Sequence, residues 1–343
     1  AVTTGDSQCD SNVVSGCTIT GGYYGVVMVA NGTTAMIYDN QISNNTIRDF
    51  YEYGIYMNGN NNALVQGNSI SRPNRSSVTT FRGIGLNGNN LKTLINRNRL
   101  FNMFGAASSS TAAGFAIYFT SCDATAGNEN VVSNNLIYGH IGSTGNHNGI
   151  LNVGSDYAKY YHNTIVLNDV AATCTACAAR GIYQQNPAPL GLEFVNNIVT
   201  ISQGGTSPKQ CIFFEATDIS GYVLNGNNYY ITSTGGTLNE IARVGGSSST
   251  PTQGTGYDNI LNWQTGSSQE ANSVSVNPFF TNPGAGNYQP QVIQGDNIGV
   301  PVGVLTDINS AARSLTTPDA GAYEYTGSIS ANCSGTPIAG IAN

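Results

Sequence analysis

Acidic and basic side chains are sparse in this sequence, and few are spaced to act together. Glycoside hydrolysis needs two carboxyl groups at a fixed separation, and proton abstraction needs a base beside the substrate. No two Asp residues are adjacent, and the nearest acidic grouping, Asp49 with Glu52, is more typical of a solvated turn. This pattern therefore favours a protein without enzymatic activity, and we predict no catalytic residue.

Two further groupings contain histidine. Asp156, Lys159 and His162 are close in sequence, but His162 directly precedes a recurring Asn, which favours a structural hydrogen bond. His140 and His147 share one predicted loop and could approach each other, yet no third metal ligand is evident. We therefore predict no metal site and no cofactor, and leave open only a structural calcium ion.

Seven cysteines in a sequence poor in charge favour an oxidising, extracellular setting. Cys174-x-x-Cys177 could instead be a metal or redox pair, but no helix pattern follows it and no second such pair exists. Cys333 is left over, so it has an intermolecular partner, stays free, or pairs beyond this sequence, which we favour. The candidates for disulfides of unknown connectivity are Cys9 with Cys17, and Cys122, Cys174, Cys177 and Cys211.

The elements that must position any site recur along the chain. An Asn, one residue and an apolar residue return at intervals of 23, 30, 37, 28, 34 and 31 residues, which indicates one supersecondary unit with variable loops. We expect the Asn of each unit to occupy a corner at positive φ and to bond along the axis as a ladder. The predicted ladder consists of Asn45, Asn68, Asn98, Asn135, Asn163, Asn197 and Asn228.

A second column of short strands confirms the period. Ile55, Ile84, Ile117, Ile150, Ile182 and Ile212 are spaced by 29, 33, 33, 32 and 30 residues, and alternation points each of them inward. Asn152 and Gln184 also fall on inward positions, which this scheme does not explain. Insertions gathered on one side of a solenoid usually mark its interacting face. All the long insertions lie before these strands, at 72–82, 102–115, 138–148, 168–180 and 201–210.

Aromatic residues follow several of these inward Ile residues and should project outward from one sheet, with polar residues two positions further on. Rings beside amides can stack on sugar rings and bond their hydroxyls. The alternative is an aromatic ladder that only stabilises the sheet. The candidate ligand-binding residues are Tyr56, Asn58, Asn87, Tyr118, Thr120, Tyr183, Gln185, Phe213 and Glu215.

Composition limits the partners. Charged residues make up 9% of the chain, against about 25% in a typical domain. The net charge of −7 with three lysines argues against nucleic acid, and no apolar run reaches the ~20 residues that span a bilayer.

The sequence of strand, Asn bend, strand, variable loop and Gly-Ile strand resembles the right-handed parallel β-helix of the pectate-lyase-like superfamily over residues 12–232. Downstream, Asn277-Pro278-Phe279-Phe280 and 318–325 resemble the closing segment of choice-of-anchor Q bacterial surface proteins, in which Ala320 is a mild departure. The tail 333–343 resembles the entry to an immunoglobulin-like repeat of proteins exported by the type IX secretion route. The resemblance implies a secreted, cell-surface chain with further modules.

We therefore expect an all-β fold, a parallel β-helix of about seven to nine turns with caps at both ends. The predicted parts are an N-terminal cap (1–14), the β-helix (15–232), a closing segment (233–326) and a linker into a further module (327–343). Deleting the closing segment should cause aggregation, because solenoid ends expose unpaired strand edges.

Three functions compete. The leading one is a non-catalytic module of an adhesin or surface filament that presents a face to glycans or a neighbouring surface protein. The others are a polysaccharide lyase or glycoside hydrolase with an atypical site, and a purely structural assembly subunit. Assays for unsaturated products and reducing ends separate the first two, and polymerisation of the purified chain separates the third.

Overall fold

The structure is a computed structural model that describes residues 9–30, 35–175, 177–186, 189–233, 235–236 and 238–330. Strands dominate it, and the predicted all-β solenoid is confirmed. Within these residues no helix is long and apolar enough to cross a membrane. The tail that contains Cys333 lies outside the described residues.

Short strands follow one another along the chain. The first nine are β1 (Val13–Ser15), β2 (Thr18–Thr20), β3 (Tyr24–Val29), β4 (Ile37–Tyr38), β5 (Gln41–Ser43), β6 (Thr46–Arg48), β7 (Tyr53–Asn58), β8 (Asn60–Asn61) and β9 (Leu64–Gln66). The next nine are β10 (Ser69–Ser71), β11 (Phe81–Asn87), β12 (Leu94–Asn96), β13 (Arg99–Phe101), β14 (Gly114–Thr120), β15 (Asn130–Ser133), β16 (Leu136–Tyr138), β17 (His147–Val153) and β18 (Ala158–Tyr161). The last are β19 (Thr164–Leu167), β20 (Ala179–Gln185), β21 (Glu193–Val195), β22 (Ile198–Ile201), β23 (Lys209–Phe214), β24 (Val223–Asn225), β25 (Asn228–Ile231), β26 (Asn239–Val244) and β27 (Thr255–Tyr257). They are followed by helix α1 (Ile260–Ser267) and two 3₁₀ turns (Pro283–Ala285 and Ile293–Gly295).

The strands stack into three long parallel sheets, so that one strand from each sheet makes up one rung. Sheet A contains β1, β5, β9, β12, β15, β18, β21 and β24, and sheet B contains β2, β6, β10, β13, β16, β19, β22 and β25. Sheet C contains β3, β7, β11, β14, β17, β20, β23 and β26, with β27 added antiparallel at its end. Eight rungs agree with the predicted seven to nine turns.

The register confirms the isoleucine column. Ile55 pairs with Ile84, Ile84 with Ile117, and Ile117 with Ile150, and the same register continues to Ile182 and on to Ile212. Every member is at most 1% exposed, so the column fills the bore of the solenoid. The long insertions all lie between a strand of sheet B and the next strand of sheet C, at what we call the loop corner.

The predicted asparagine ladder is present along the corner between sheets A and B. The backbone N–H and the amide of Asn68 both donate to Oδ1 of Asn98, each at 2.9 Å, and the amide of Asn98 also donates to the carbonyl of Val65 at 2.9 Å. This pattern repeats on each rung through Asn45, Asn68, Asn98, Asn135, Asn163 and Asn197.

Two details of the ladder prediction are wrong. The last member is Asn227, which accepts from Asn197, whereas Asn228 belongs to strand β25 and accepts from the backbone of Val276. The ladder residues themselves also do not adopt positive φ. The residue before each of them does, as in Asn44 at 56°, because the corner turns one residue earlier and the ladder side chain must already point inward.

The inward polar residues on sheet C satisfy local backbone groups. Asn152 accepts from the N–H of Ser155 at 2.8 Å and donates to its carbonyl at 3.0 Å. Gln184 accepts from the N–H of Ala216 at 3.2 Å and donates to the carbonyl of Asn186. Both side chains therefore support the turn that leaves sheet C.

One disulfide is present in the described part of the chain. Cys174 and Cys177 are bonded, with their Cα atoms 5.8 Å apart. The candidate Cys9–Cys17 bridge is not formed in this structure, where both thiols are free and exposed. Cys122 and Cys211 are also free and buried, and three rungs separate their strands.

The C-terminal end of the solenoid closes over a buried carboxylate. Strand β26, which lies after residue 232, completes the eighth rung, and helix α1 places Trp263 against this rung. Glu270 is 1% exposed and accepts hydrogen bonds from Asn227, Tyr229 and Trp263, which terminates the ladder.

Residues 275–330, the return segment, run back along the outside of sheet B. Gly321 N–H donates to the carbonyl of Asn196 at 2.7 Å, and Ala322 N–H donates to Thr164 Oγ1 at 2.9 Å. His162 Nδ1 lies 2.9 Å from the carbonyl of Asp319. The predicted structural role of His162 agrees with this geometry, and the closing motif lies along the side of the solenoid.

Candidate functional site: a tyrosine platform on sheet C

The predicted aromatic residues occupy one outward row of sheet C. Tyr56 and Tyr118 flank Gly85, and the same register leads through Leu151 to Tyr183 and Phe213. A second outward row contains the predicted polar residues Asn58, Asn87, Thr120 and Gln185. The candidate residues therefore share one face, as the alternation of the strands implies.

The C-terminal half of this face is covered. Phe213 is fully buried and Tyr183 is 3% exposed, because the chain around Gly246 and Ser248 folds over them. The carboxylate of Glu215 accepts from the Tyr183 hydroxyl at 2.5 Å and from the N–H of Ser248 at 3.1 Å. These residues hold the closing hairpin in place and are not open to a ligand.

Arg180 stabilises the covered half. Its guanidinium lies 4.7 Å from the ring centre of Tyr183 and 4.5 Å from that of Phe213. The guanidinium is 2% exposed, and burial lowers its pKa. Such cation–π contacts contribute most when they are desolvated.

The N-terminal half of the face carries a cluster of five tyrosines, Tyr23, Tyr24, Tyr51, Tyr53 and Tyr56, which we call the tyrosine platform. Neighbouring ring centres are 4.9 to 5.3 Å apart. The rings of Tyr24 and Tyr56 are stacked, with 13° between their planes. Tyr23 is 57% exposed, so the edge of the platform is open to solvent.

Gly85 and Arg82 hold the ring of Tyr53 against the sheet. A side chain at Gly85 would meet the ring of Tyr53, since an added Cβ would lie 2.3 Å from Cε1 of that ring. The guanidinium of Arg82 lies 5.0 Å from the ring centres of both Tyr53 and Tyr118. Arg82 also forms an ion pair with Glu52, which removes the net charge at the centre of the platform.

Hydroxyl groups and amides surround the rings. A hydrogen bond to Glu52 raises the pKa of Tyr23. Burial raises the pKa of Tyr53 to about 12, and a hydrogen bond with the side chain of Asn87 opposes this shift. The platform therefore offers flat apolar rings together with neutral hydrogen-bonding groups, which is the surface that a sugar ring requires.

Sequence reasoning missed most of the platform. It singled out Tyr56 but not Tyr24, Tyr53 or Arg82, which pair on successive rungs immediately before a Gly and an inward aliphatic residue. That shared position was the signal that could have identified them. Glu52 was interpreted as part of a solvated turn, whereas its partner is Arg82 on the next rung.

The other sequence-derived groupings have structural partners. Asp49 accepts from the N–H of Asn74 at 2.8 Å, as expected of a turn residue. Lys159 lies 3.4 Å from Glu129 and 3.3 Å from Glu193 and does not pair with Asp156. Throughout the described ranges, no three His, Cys, Asp or Glu residues are grouped as a metal site.

Comparison with known families agrees with this geometry. Residues 6–170 match the family model described as "Right handed beta helix region". The chain is a right-handed parallel β-helix. No curated protein sequence matches the chain, so this match describes the fold of the solenoid and not its activity.

Proposed function

We propose that this β-helix is a non-catalytic module that binds glycans through the tyrosine platform and the adjoining Asn58, Asn87 and Thr120. The observation that carries the proposal is a cluster of five rings at 4.9 to 5.3 Å spacing on an outward sheet face. Tyr24, Tyr51 and Tyr56 are half-buried, and Tyr53 is only 6% exposed. Here Tyr23 is 57% exposed at the edge of the cluster.

The spacing of the rungs suits an extended chain of sugars. Strands repeat every ~4.8 Å along the axis, close to the length of one pyranose unit, so a chain lying along the face would meet similar contacts on each rung. Each contact is weak, and affinity grows as several contacts act together. The Glu52 carboxylate neutralises Arg82, which favours a neutral glycan over an acidic one.

The proposed setting is extracellular, at a cell surface, in a protein with further modules. The Cys174–Cys177 disulfide and the low content of charged residues support this setting.

A glycan array followed by titration calorimetry tests the binding function. We expect a neutral polysaccharide to bind, and Tyr23→Ala combined with Tyr56→Ala to weaken its binding at least about fivefold, because each ring contact contributes about 0.5–1.5 kcal/mol. Tyr38→Ala is the matched control, since Tyr38 is a 40% exposed tyrosine outside the platform. Failure of every glycan to bind, or equal loss in the control, would refute the proposal.

A second candidate function, polysaccharide cleavage, has one groove in its favour. The groove lies between sheet A and residues 302–306, has a volume of about 360 Å³, and is lined by Lys159 and Tyr161. Lys159 lies between two carboxylates there. Release of reducing ends or unsaturated products, abolished by Glu193→Gln, would favour this function over binding alone.

A further inference from the structure

The loop corner contains a polar cluster that neither the solenoid scaffold nor the tyrosine platform uses. His140 and His147 flank the loop between β16 and β17, and Gln203 enters the same corner from a later rung. All three side chains are 0% exposed. The ring of Phe104 stacks on His147 at 6.0 Å, so one side of the cluster is apolar.

The side-chain polar atoms of this cluster form no well-aligned hydrogen bond in the described part of the chain. Both ring nitrogens of His140 have no partner, and His147 has only weak contacts with the side chain of Gln203 and the backbone of His140. A buried polar group without a partner costs about 1–3 kcal/mol, and native proteins rarely keep several such groups together. This group of poorly satisfied buried atoms therefore indicates a bound species.

The geometry of the two imidazoles identifies what could bind. Their ring centres are 5.9 Å apart and their planes are inclined by 66°, so one atom between them could approach a nitrogen of each ring. Both imidazoles are fully buried, and each neutral ring has one nitrogen lone pair that it can offer to a bound atom. Neutral imidazole is the commonest side-chain ligand for transition metals.

We propose that His140, His147 and the amide oxygen of Gln203 bind one divalent transition-metal ion of the zinc or cobalt type. Two imidazole nitrogens and one carbonyl oxygen suit these borderline metals, whereas calcium and magnesium require a shell of oxygen ligands. The fourth position would be taken by water.

A route to the cluster is visible on the surface. A cavity of about 370 Å³ opens beside it and is lined by Phe104, Ser143, Asp169 and Cys174. Asp169 lines this cavity, and its negative charge would favour an arriving cation. The Cys174–Cys177 disulfide anchors one wall of this cavity.

Metal binding can be measured directly on the whole chain after treatment with a chelator. We expect one Zn²⁺ per chain by native mass spectrometry, a rise in the unfolding temperature on addition of Zn²⁺, and a visible absorption band with Co²⁺. His147→Phe should weaken Zn²⁺ binding at least 100-fold, and the new ring would stack on Phe104 as the imidazole does.

His162→Asn is the matched control, because His162 lies outside the cluster and Asn occupies the same corner position on other rungs, as at Asn134. This variant should keep full Zn²⁺ binding. If the wild-type chain binds no Zn²⁺ or Co²⁺, or if His147→Phe and His162→Asn lose binding equally, the proposal is wrong and ordered water fills the cluster. The glycan titration is independent of this result, since Tyr38 and the platform tyrosines lie elsewhere.

Discussion

Removing one amide from the middle of the asparagine ladder should destabilise the whole solenoid. In Asn98→Ala, the N–H and one amide hydrogen of Asn68 lose their acceptor, and the carbonyl of Val65 loses its donor. Asn135 keeps the hydrogen bond from the backbone N–H of residue 98 at 3.0 Å. Three buried groups therefore each lose a hydrogen bond, although the other amide hydrogen of Asn68 still donates to the carbonyl of Ile42 at 2.8 Å.

The expected cost follows from these three groups. At about 1–3 kcal/mol for each buried group without a partner, and with partial relief from water entering the space of the missing amide, we expect a loss of about 3–5 kcal/mol. The same change at the first residue of the ladder, Asn45, should cost only about 1 kcal/mol. Asn45 accepts from the N–H of Cys17 at 2.9 Å, and Cys17 is exposed, so water can replace the amide there.

Equilibrium unfolding in urea, followed by circular dichroism, measures both variants against the wild type. Hydrogen exchange adds a local readout, because the amide of Asn68 should lose protection in Asn98→Ala beyond the loss expected from global stability alone. Equal destabilisation by Asn45→Ala and Asn98→Ala would refute the argument, since it would mean that burial of the ladder does not set its contribution.

Three further predictions concern other parts of the molecule. Burial lowers the pKa of His147 from 6.5 to about 4, so between these pH values the unfolded chain binds a proton that the folded chain excludes. The free energy of unfolding should therefore be highest above pH 6.5 and fall by up to about 1.4 kcal/mol per pH unit towards pH 4. Urea midpoints measured at several pH values should fall less steeply in metal-free His147→Phe. Gly85→Ala should displace the ring of Tyr53, lowering glycan affinity several-fold in calorimetry while the far-ultraviolet spectrum is kept, and unchanged affinity would show that the ring position is irrelevant. Glu270→Ala should cost about 3 kcal/mol in the same urea assay, because it strands the donors of Asn227, Tyr229 and Trp263, and a wild-type midpoint would contradict its role in closing the ladder.

The solenoid could be predicted from the sequence because the same residue pattern repeats in every rung. Isoleucine at positions equivalent to Ile84 and asparagine at positions equivalent to Asn98 return on successive rungs, and stacking brings equivalent positions into contact. The same reasoning misplaced the last ladder residue, because Asn227 and Asn228 are adjacent and either one matches the pattern. Only pairing with the preceding rung decides between them.

The candidate site was only partly predictable. The outward row containing Tyr56 and Tyr118 follows from alternation, but the burial of Phe213 depends on a hairpin after residue 244 that has no repeat. Loop conformations are likewise not periodic. For this reason the grouping of Gln203 with the histidines could not be predicted from spacing.

The return segment contacts the later rungs of the solenoid, so the two ends of the solenoid should differ in local stability. Its contacts extend from Arg97, which donates to Ser310 at 3.0 Å, to Asn228 near the C-terminal end. The return segment packs on the outside of the rungs in that span, and it can dock only after these rungs have formed. Folding that proceeds from the N-terminal turns would therefore be completed when this later segment docks. Loosening or proteolysis should start at the first turns, which the described residues of the return segment do not contact.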